Sequence, residues 1–159
     1  MPNYCKGQLR IRGKFENIIQ FIENEVRTYD YSKGEEPVVD LSRRKIHRYD
    51  DEFSLWIENG CAYVEGTHRN FIDEGIYETE KREDGTAVLV VNLFAAWNIK
   101  TEPYEVFSKK YDIEFRIYAF ESGMRFNRDI WIDGGHAVKN ETIKFKDYDW
   151  ECIAPRIGG

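Results

Sequence analysis

Residues Ala87–Trp97 read AVLVVNLFAAW and form the most apolar stretch of the chain. Ten of these eleven residues are apolar, three of them are valines, and Asp84-Gly85 supplies a turn signal just before them. Such a run is typical of a β-strand that is buried on both faces. We therefore predict an inner strand here, and expect the rest of the chain to supply its neighbouring strands and its covering layers.

Length and composition limit the class of protein. The 159 residues fit one domain with one core, so we predict that residues 1–159 form a single domain. The formal net charge of −6 argues against nucleic acid or an anionic membrane as a broad partner, because phosphate contacts need a surplus of lysine and arginine. The three cysteines are widely separated, which favours a reducing compartment, and we expect a cytoplasmic protein without a membrane partner.

Four segments have regular patterns. Tyr4–Arg12 and Ile113–Phe120 alternate apolar and polar residues, which predicts strands with one buried face. Residues 14–27 place apolar side chains at i, i+3, i+4 and i+7, which predicts an amphipathic helix. Residues 102–110 predict a second helix, with Thr101 as its N-cap.

Two segments are predicted to lie outside this regular core. Residues 29–52 have no period and contain turn-forming serine, glycine and proline, so we predict an inserted surface loop with a short strand at Val38–Leu41. Residues 123–159 form a C-terminal extension, in which Asp133-Gly134-Gly135 connects two strands of a β-hairpin. Because two helices cover only one face of the central strand, we expect this extension to cover part of the other face.

Turn signals predict two further hairpins. Asn59-Gly60 separates residues 53–57 from residues 61–65, and Asp84-Gly85 connects residues 76–82 to the central strand. The order of elements is then strand, helix, strands, strand, helix, strand. This order predicts an α+β fold, namely a ferredoxin-like split βαβ sandwich with an antiparallel sheet and two helices on one face.

Three motifs resemble a known family. They are Met1-Pro2-Asn3-Tyr4-Cys5, Ala95-Ala96-Trp97 ahead of a proline-containing helix, and Glu121–Phe126. Together they resemble the YubB-type ferredoxin-like domain family of uncharacterised plasmid and phage proteins, with Tyr4 where that family usually has tryptophan. The resemblance implies a ferredoxin-like fold and a mobile-element origin, and hence a location in the host cytosol. It implies no catalytic residue and no iron–sulfur cluster.

The first candidate site is acidic and aromatic. Carboxylates alternate with large rings in Asp147-Tyr148-Asp149-Trp150-Glu151. Such a stretch can dock on a basic groove of a partner protein, with the rings as hot spots of binding energy. The alternative interpretation is a terminal strand, with Tyr148 and Trp150 packed inward and the acids in water.

The second candidate site is basic. The cluster consists of Arg43, Arg44, Lys45, His47 and Arg48, and a tyrosine follows it. These side chains could bind a phosphate while the tyrosine stacks on a base. Residues 50–52 are all acidic, so a solvated and self-neutralising loop is the alternative interpretation.

The first strand offers another route to nucleic acid. Lys6, Arg10 and Arg12 fall on its polar side, and RNA-binding domains of the predicted topology bind RNA on this side of their sheet. Those domains need aromatic residues on the two inner strands. The matching positions of the central strand are Val88, Val90, Asn92 and Phe94. With one aromatic residue among these four and no Lys/Arg-Gly-Phe motif, the sequence does not favour RNA binding by this route.

No pattern points to catalysis or to a cofactor. His47, His68 and His136 show no HxxxH spacing, the cysteines show no CxxC spacing, and GxSxG, P-loop and GxGxxG motifs are missing. Asp129 and Asp133 could divide acid and base roles, but turn chemistry explains the second of them equally well. We predict no catalytic residue, no metal and no cofactor.

The sequence therefore favours a non-catalytic phage or mobile-element protein that binds a host protein. The concrete version is an anti-defence inhibitor of the anti-CRISPR type, whose acidic surface occupies the groove of a nucleic-acid-handling defence protein. Two alternatives remain open. One is a nucleic-acid-binding module that uses residues 43–49, and the other is an enzyme without a recognisable motif.

Overall fold

The computed structural model describes residues 2–159. Three helices lie in this part of the chain: α1 (Phe15–Glu25), α2 (Glu102–Tyr111) and α3 (Tyr148–Glu151). The strands are β1 (Tyr4–Lys14), β2 (Val26–Arg27), β3 (Tyr29–Asp30), β4 (Val38–Val39), β5 (Arg44–Tyr49), β6 (Glu52–Ile57), β7 (Ala62–Val64), β8 (Asn70–Ile72), β9 (Gly75–Glu80), β10 (Thr86–Ala96), β11 (Ile113–Glu121), β12 (Phe126–Asp133) and β13 (His136–Lys144).

Eight of these strands form one antiparallel sheet. Their order is β13-β12-β11-β1-β10-β8-β7-β2, whereas β5-β6-β9 form a second sheet and β3-β4 a small ribbon. Strand β10 contains all but the last residue of the apolar stretch Ala87–Trp97, and it lies between β1 and β8. The prediction of an inner strand is therefore confirmed.

The predicted fold class is wrong. The chain is mainly β, with 49% strand and 18% helix, and it is not a ferredoxin-like split βαβ sandwich of the α+β class. The difference arises at both edges of the sheet, because β12 and β13 extend it beyond β11, and β8, β7 and β2 extend it beyond β10. Of these five strands, β12 and β13 lie in the predicted C-terminal extension, β7 lies in a predicted hairpin, and β2 consists of the last residues of the predicted helix 14–27.

The central strand is buried on only one face. Leu89 and Val91 are fully buried, but Val90 is 39% exposed and Asn92 is also exposed. The prediction of burial on both faces is therefore wrong. The apolar run was misleading because a valine raises the apolar character of a sequence equally whether its side chain is exposed or buried. The outward side of β10 is part of an open sheet face.

The buried face is covered by α1 and α2. Phe21 of α1 lies at the centre of this layer, with ring centroids 5.3–5.7 Å from those of Phe107, Tyr111 and Phe115. Helix α1 follows the predicted stripe of apolar residues, and α2 begins after Thr101 as expected. Thr101 occupies the N-cap position, but its side chain makes no capping hydrogen bond, so the side-chain cap that the sequence predicted is not formed.

Two of the predicted hairpins do not form as ladders. Asn59 and Gly60 adopt positive φ angles of 55° and 128°, as a tight turn requires, but the strands on either side enter different sheets. Strand β6 pairs with β5 and β9, and β7 pairs with β2 and β8. The Asp84-Gly85 turn likewise leads from β9 in the small sheet to β10 in the large one. Long-range pairing overrides the local hairpin signal at both turns.

The predicted insertion and extension are more regular than the sequence indicated. Residues 29–52 contain the β3-β4 ribbon, a 3₁₀ turn at Leu41–Arg43 and strand β5, so this region is not a simple surface loop. The C-terminal hairpin is confirmed as β12-β13, but it extends the sheet and does not cover it. Helix α3 and the residues after it pack at one end of the open face instead.

Candidate functional site

The open face of the large sheet is built from the outward side chains of β1, β10 and β11. Strand β1 alternates along its length, so Cys5, Leu9 and Ile11 point to the core and the residues between them point to solvent. The outward residues of β1 are Lys6, Gln8, Arg10 and Arg12. Because neighbouring strands pair in register, each of these side chains has one neighbour on β10 and one on β11.

The register sorts these outward residues into rows across the sheet. Lys6 lies between Phe94 and Phe120, which makes an aromatic row with a central ammonium group. The next row is Asn92, Gln8 and Tyr118. The row after that contains Val90, Arg10, Arg116, Trp131 and Lys139. Aromatic, amide and basic groups thus follow one another along β1.

These rows form the floor of a groove, which we call the sheet groove. Its larger part has a volume of about 650 Å³ and its smaller part about 580 Å³, and both are lined by Arg10 and Arg116. Each volume lies in the range of small-ligand sites. The remaining charged residues of the lining are Lys6, Arg12, Lys139, Asp73 and Glu114. The lining is therefore basic, although the whole chain carries a net charge of −6.

Some of these cations have acidic partners and others do not. Arg12 binds Glu114 at 2.7 Å, which raises the pKa of Arg12 through a side-chain hydrogen bond, and Lys139 binds Asp129 at 2.7 Å. Within residues 2–159, no carboxylate lies within 4.0 Å of the Lys6 ammonium group or the Arg10 guanidinium group. Among the residues that the structure describes, the Arg10 side chain makes one hydrogen bond, a long one of 3.4 Å to Gln8 Oε1.

Arg10 and Arg116 are directly opposite each other across β1 and β11. Like charges at opposed positions of a sheet are destabilising. Asp129 Oδ1 lies 3.1 Å from Arg116 Nη2, so Arg116 has an acidic partner on β12 whereas Arg10 has none within the described residues. Two guanidinium groups side by side in a groove match an anion with several acceptor oxygens.

Aromatic rings border this pair of arginines. The Arg116 guanidinium group lies 5.7 Å from the centroid of the Trp131 ring, and Tyr118 and Phe120 make an edge contact at 5.3 Å. Phe94 stacks on Phe71 with centroids 5.2 Å apart. Most of these side chains are half-buried, and Phe94, Tyr118, Phe120 and Trp131 line the groove.

The C-terminal segment forms one wall of the groove. The Tyr148 hydroxyl donates a hydrogen bond to Asn127 Oδ1 at 2.8 Å, and the buried Cys152 packs beside the same asparagine. Ile153 and Ile157 then line the groove, and the last backbone N–H donates to the carbonyl of Tyr4 at 2.8 Å. This segment is therefore attached to the sheet at both of its ends.

The acidic candidate site lies in this wall and is a short helix, so the alternative of a terminal strand is wrong. Asp147 accepts a hydrogen bond from the Trp150 N–H, and Glu151 accepts one from the Asp147 N–H, so both carboxylates cap α3. Tyr148 is buried, and burial raises its pKa. Trp150 is 86% exposed, and Asp149 lies 3.7 Å from Arg156.

The basic candidate site lies on β5, where internal contacts occupy most of its donors. Arg44 Nη1 lies 2.8–3.2 Å from three carbonyl oxygens at the end of α1. They belong to Ile22 and Glu23 in its last turn and to Val26 directly after it. Arg48 pairs with Glu16 in the first turn of the same helix. Lys45 pairs with Glu58, Arg43 donates to the carbonyls of Tyr29 and Asn59, and His47 packs on Trp56. Arg44 and Arg48 therefore attach the small sheet to α1.

Metal-binding and reactive groups are sparse in the part of the chain that the structure describes. No group of three or more His, Cys, Asp or Glu residues there is arranged to hold a metal ion. The cysteines are unpaired, and burial raises the pKa of Cys5 to about 12, so this thiol stays protonated. None of the helices among residues 2–159 combines the length and the apolar character needed to cross a membrane.

Comparison with protein-family models, with curated proteins and with solved structures finds no match to this chain. The resemblance to the YubB-type family therefore rests on the sequence motifs alone.

The sequence predicts only some of the residues of this groove. It places Lys6, Arg10 and Arg12 on an open sheet face, and it considers aromatic neighbours for them on the central strand only. The missing residues are Arg116, Tyr118 and Phe120, which alternate outward on β11. Their alternation was visible in the sequence, and the signal that could have found them is the pairing of β11 directly beside β1.

Proposed function

We propose that this protein binds single-stranded nucleic acid in the sheet groove. The observation that carries the proposal is the opposed pair of Arg10 and Arg116, bordered by Tyr118 and Trp131. Proteins that bind single strands combine basic groups for the phosphates with aromatic rings on which the bases stack. This groove supplies both kinds of group within two neighbouring rows of one sheet.

The proposal favours a single strand over a duplex. Half-buried rings on a sheet can stack only on bases whose faces are accessible, and a duplex hides those faces. The floor from Lys6 to Arg12 spans about 20 Å at the usual rise of a strand, which limits the site to a few nucleotides. The rest of the chain is acidic, so it repels phosphates outside the groove and restricts binding to this face.

The test is the binding of labelled eight-nucleotide DNA and RNA strands, measured by fluorescence anisotropy at several salt concentrations. Arg10→Ala/Arg116→Ala should weaken binding about 100-fold, because two charge-assisted hydrogen bonds contribute together about 3 kcal/mol. It should also reduce the slope of log affinity against log salt by about 1.4, because each phosphate contact on a single strand releases about 0.7 counterion.

The matched control is Arg82→Ala/Lys100→Ala. It removes the same two positive charges at exposed positions outside the groove lining, and neither side chain forms an ion pair within residues 2–159. Its affinity should stay within about twofold of the unmodified protein, since distant surface charges act weakly in salt. Equal losses in the two variants, or no binding by the unmodified protein, would refute the proposal.

We also propose, as a second candidate function, the binding of a host protein at the acidic end. The specific observation in its favour is that Trp150 and Ile153 are 86% and 90% exposed next to the carboxylates of α3. Exposed aromatic and aliphatic groups beside charges are typical of interface hot spots. Trp150→Ala/Ile153→Ala should abolish co-purification of a nucleic-acid-handling host protein, whereas Arg10→Ala/Arg116→Ala should leave it intact.

A further inference from the structure

The centre of the sheet groove contains two amide side chains that face each other. Gln8 of β1 and Asn92 of β10 are direct partners in the strand register, and both are exposed. The Asn92 side chain makes no hydrogen bond within residues 2–159, and Gln8 accepts only the long bond of 3.4 Å from Arg10. Each amide offers one acceptor and two donors, so their polar groups are available to a ligand.

The neighbours of these amides match the parts of one nucleotide. Tyr118 lies on the other side of Gln8 in the same row, with side chains close enough to touch. A base that stacks on the Tyr118 ring therefore lies in the same row as Gln8 and Asn92. Arg10 and Arg116 form the neighbouring row, two residues from Gln8 and Tyr118 on the same strands and about 7 Å away, where the phosphate of the same nucleotide would lie.

We infer that this row reads adenine, so that the groove selects strands containing an accessible adenine. The inference rests on the proposed function and adds the base that is bound. Asparagine and glutamine form bidentate pairs with adenine through an amide oxygen that accepts from N6 and an amide nitrogen that donates to N7. A row of two unpartnered amides beside one ring supplies this pattern without any rearrangement of the sheet.

The experiment compares eight-nucleotide strands of deoxyadenosine, deoxyinosine and thymidine. Inosine stacks as a purine but lacks the N6 amino group, so it separates hydrogen bonding from stacking. The adenine strand should bind about 10-fold more tightly than the inosine strand, within the range that a bidentate amide–adenine pair provides. The thymidine strand should bind no better than the inosine strand.

The variant Gln8→Leu/Asn92→Leu should remove the preference for adenine over inosine. Its binding to the thymidine strand should stay within about twofold, which also shows that the groove remains folded. Equal binding of the adenine and inosine strands, or a preference that survives the double variant, would overturn the inference but leave the proposed function standing. Failure of all three strands to bind would overturn both.

Discussion

The two basic clusters of this protein differ in how they are assembled and in what their charges contact. Arg43–Arg48 are contiguous in the sequence, and on β5 their donors meet carbonyl groups and carboxylates of the same chain. The cations of the sheet groove come from opposite halves of the chain, and Lys6 and Arg10 have no acidic partner within the described residues. A cluster in the sequence is therefore a weak guide to a binding site, because a strand sends alternate residues to different neighbours.

The largest expected effect tests whether the cations of β5 stabilise the fold, in contrast to the cations of the sheet groove, which we propose bind a ligand. Arg44→Ala should lower the free energy of unfolding by about 2 kcal/mol, because it removes a charged, half-buried donor from the carbonyl end of α1. For a protein of this size, the melting temperature should fall by about 4–8 °C, as followed by circular dichroism.

Arg10→Ala is the matched substitution in the groove. Removing one of two opposed like charges should leave stability unchanged or raise it by up to about 0.5 kcal/mol. Equal destabilisation by the two substitutions would show that the groove arginines are structural, and would end the distinction between the clusters.

A smaller effect is expected from the aromatic residues that accompany each cluster. Tyr118→Ala should weaken the binding of a single strand about 10-fold, because stacking on one ring contributes about 1–3 kcal/mol per base. Tyr49 follows the β5 cluster and is 68% exposed, so Tyr49→Ala serves as the control and should leave the affinity unchanged. Anisotropy titrations would contradict this account if Tyr49→Ala caused the larger loss.

The sequence predicts the individual helices and strands of this protein better than it predicts which strands pair with one another. The stripe of α1, the alternation of β1 and β11 and the inner position of β10 are local patterns, and the structure has each of them. The pairing of β6 with β5 and β9 depends on contacts between distant segments, and the turn at Asn59-Gly60 gave no sign of it. The predicted fold class is wrong because the strands added at both edges of the large sheet are likewise set by pairing, which these local patterns do not specify.

The same limit applies to the candidate sites. Asp147-Tyr148-Asp149-Trp150-Glu151 and Arg43–Arg48 were visible because their residues are adjacent in the sequence. Tyr118 reaches the groove through the register of β11 with β1, and Trp131 through the register of β12 with β11. A single sequence does not contain this pairing information. Binding of a host protein at the acidic end stays a prediction. Two of the carboxylates there, those of Asp147 and Glu151, accept hydrogen bonds that cap α3.

A still smaller effect tests the contrast between the two faces of β1. Burial raises the pKa of Cys5 to about 12 from an ordinary 9.0, so the folded protein keeps a proton that the unfolded chain loses. The contribution of Cys5 to stability is therefore complete below pH 9 and is lost as the pH rises toward 12. At pH 8, iodoacetamide should leave Cys5 unmodified in the folded protein, whereas an acetylating reagent should modify the exposed Lys6.

Peptide mapping by mass spectrometry measures both modifications in one sample. Unfolding in denaturant should make Cys5 reactive, which is the control for reagent access. Rapid alkylation of Cys5 in the folded protein would mean that the inner face of β1 is open, and the assignment of the groove to the other face would then lose its basis.

The central claim is that the sheet groove, and not the contiguous basic cluster, contacts a single strand. The most direct test records amide NMR spectra of the protein during titration with an eight-nucleotide strand and maps the resonances that shift. We predict that they belong to β1, β10, β11 and the segment around Ile153. Shifts concentrated on Arg44–Tyr49 or on Tyr148–Glu151, with β1 and β11 unaffected, would contradict the claim.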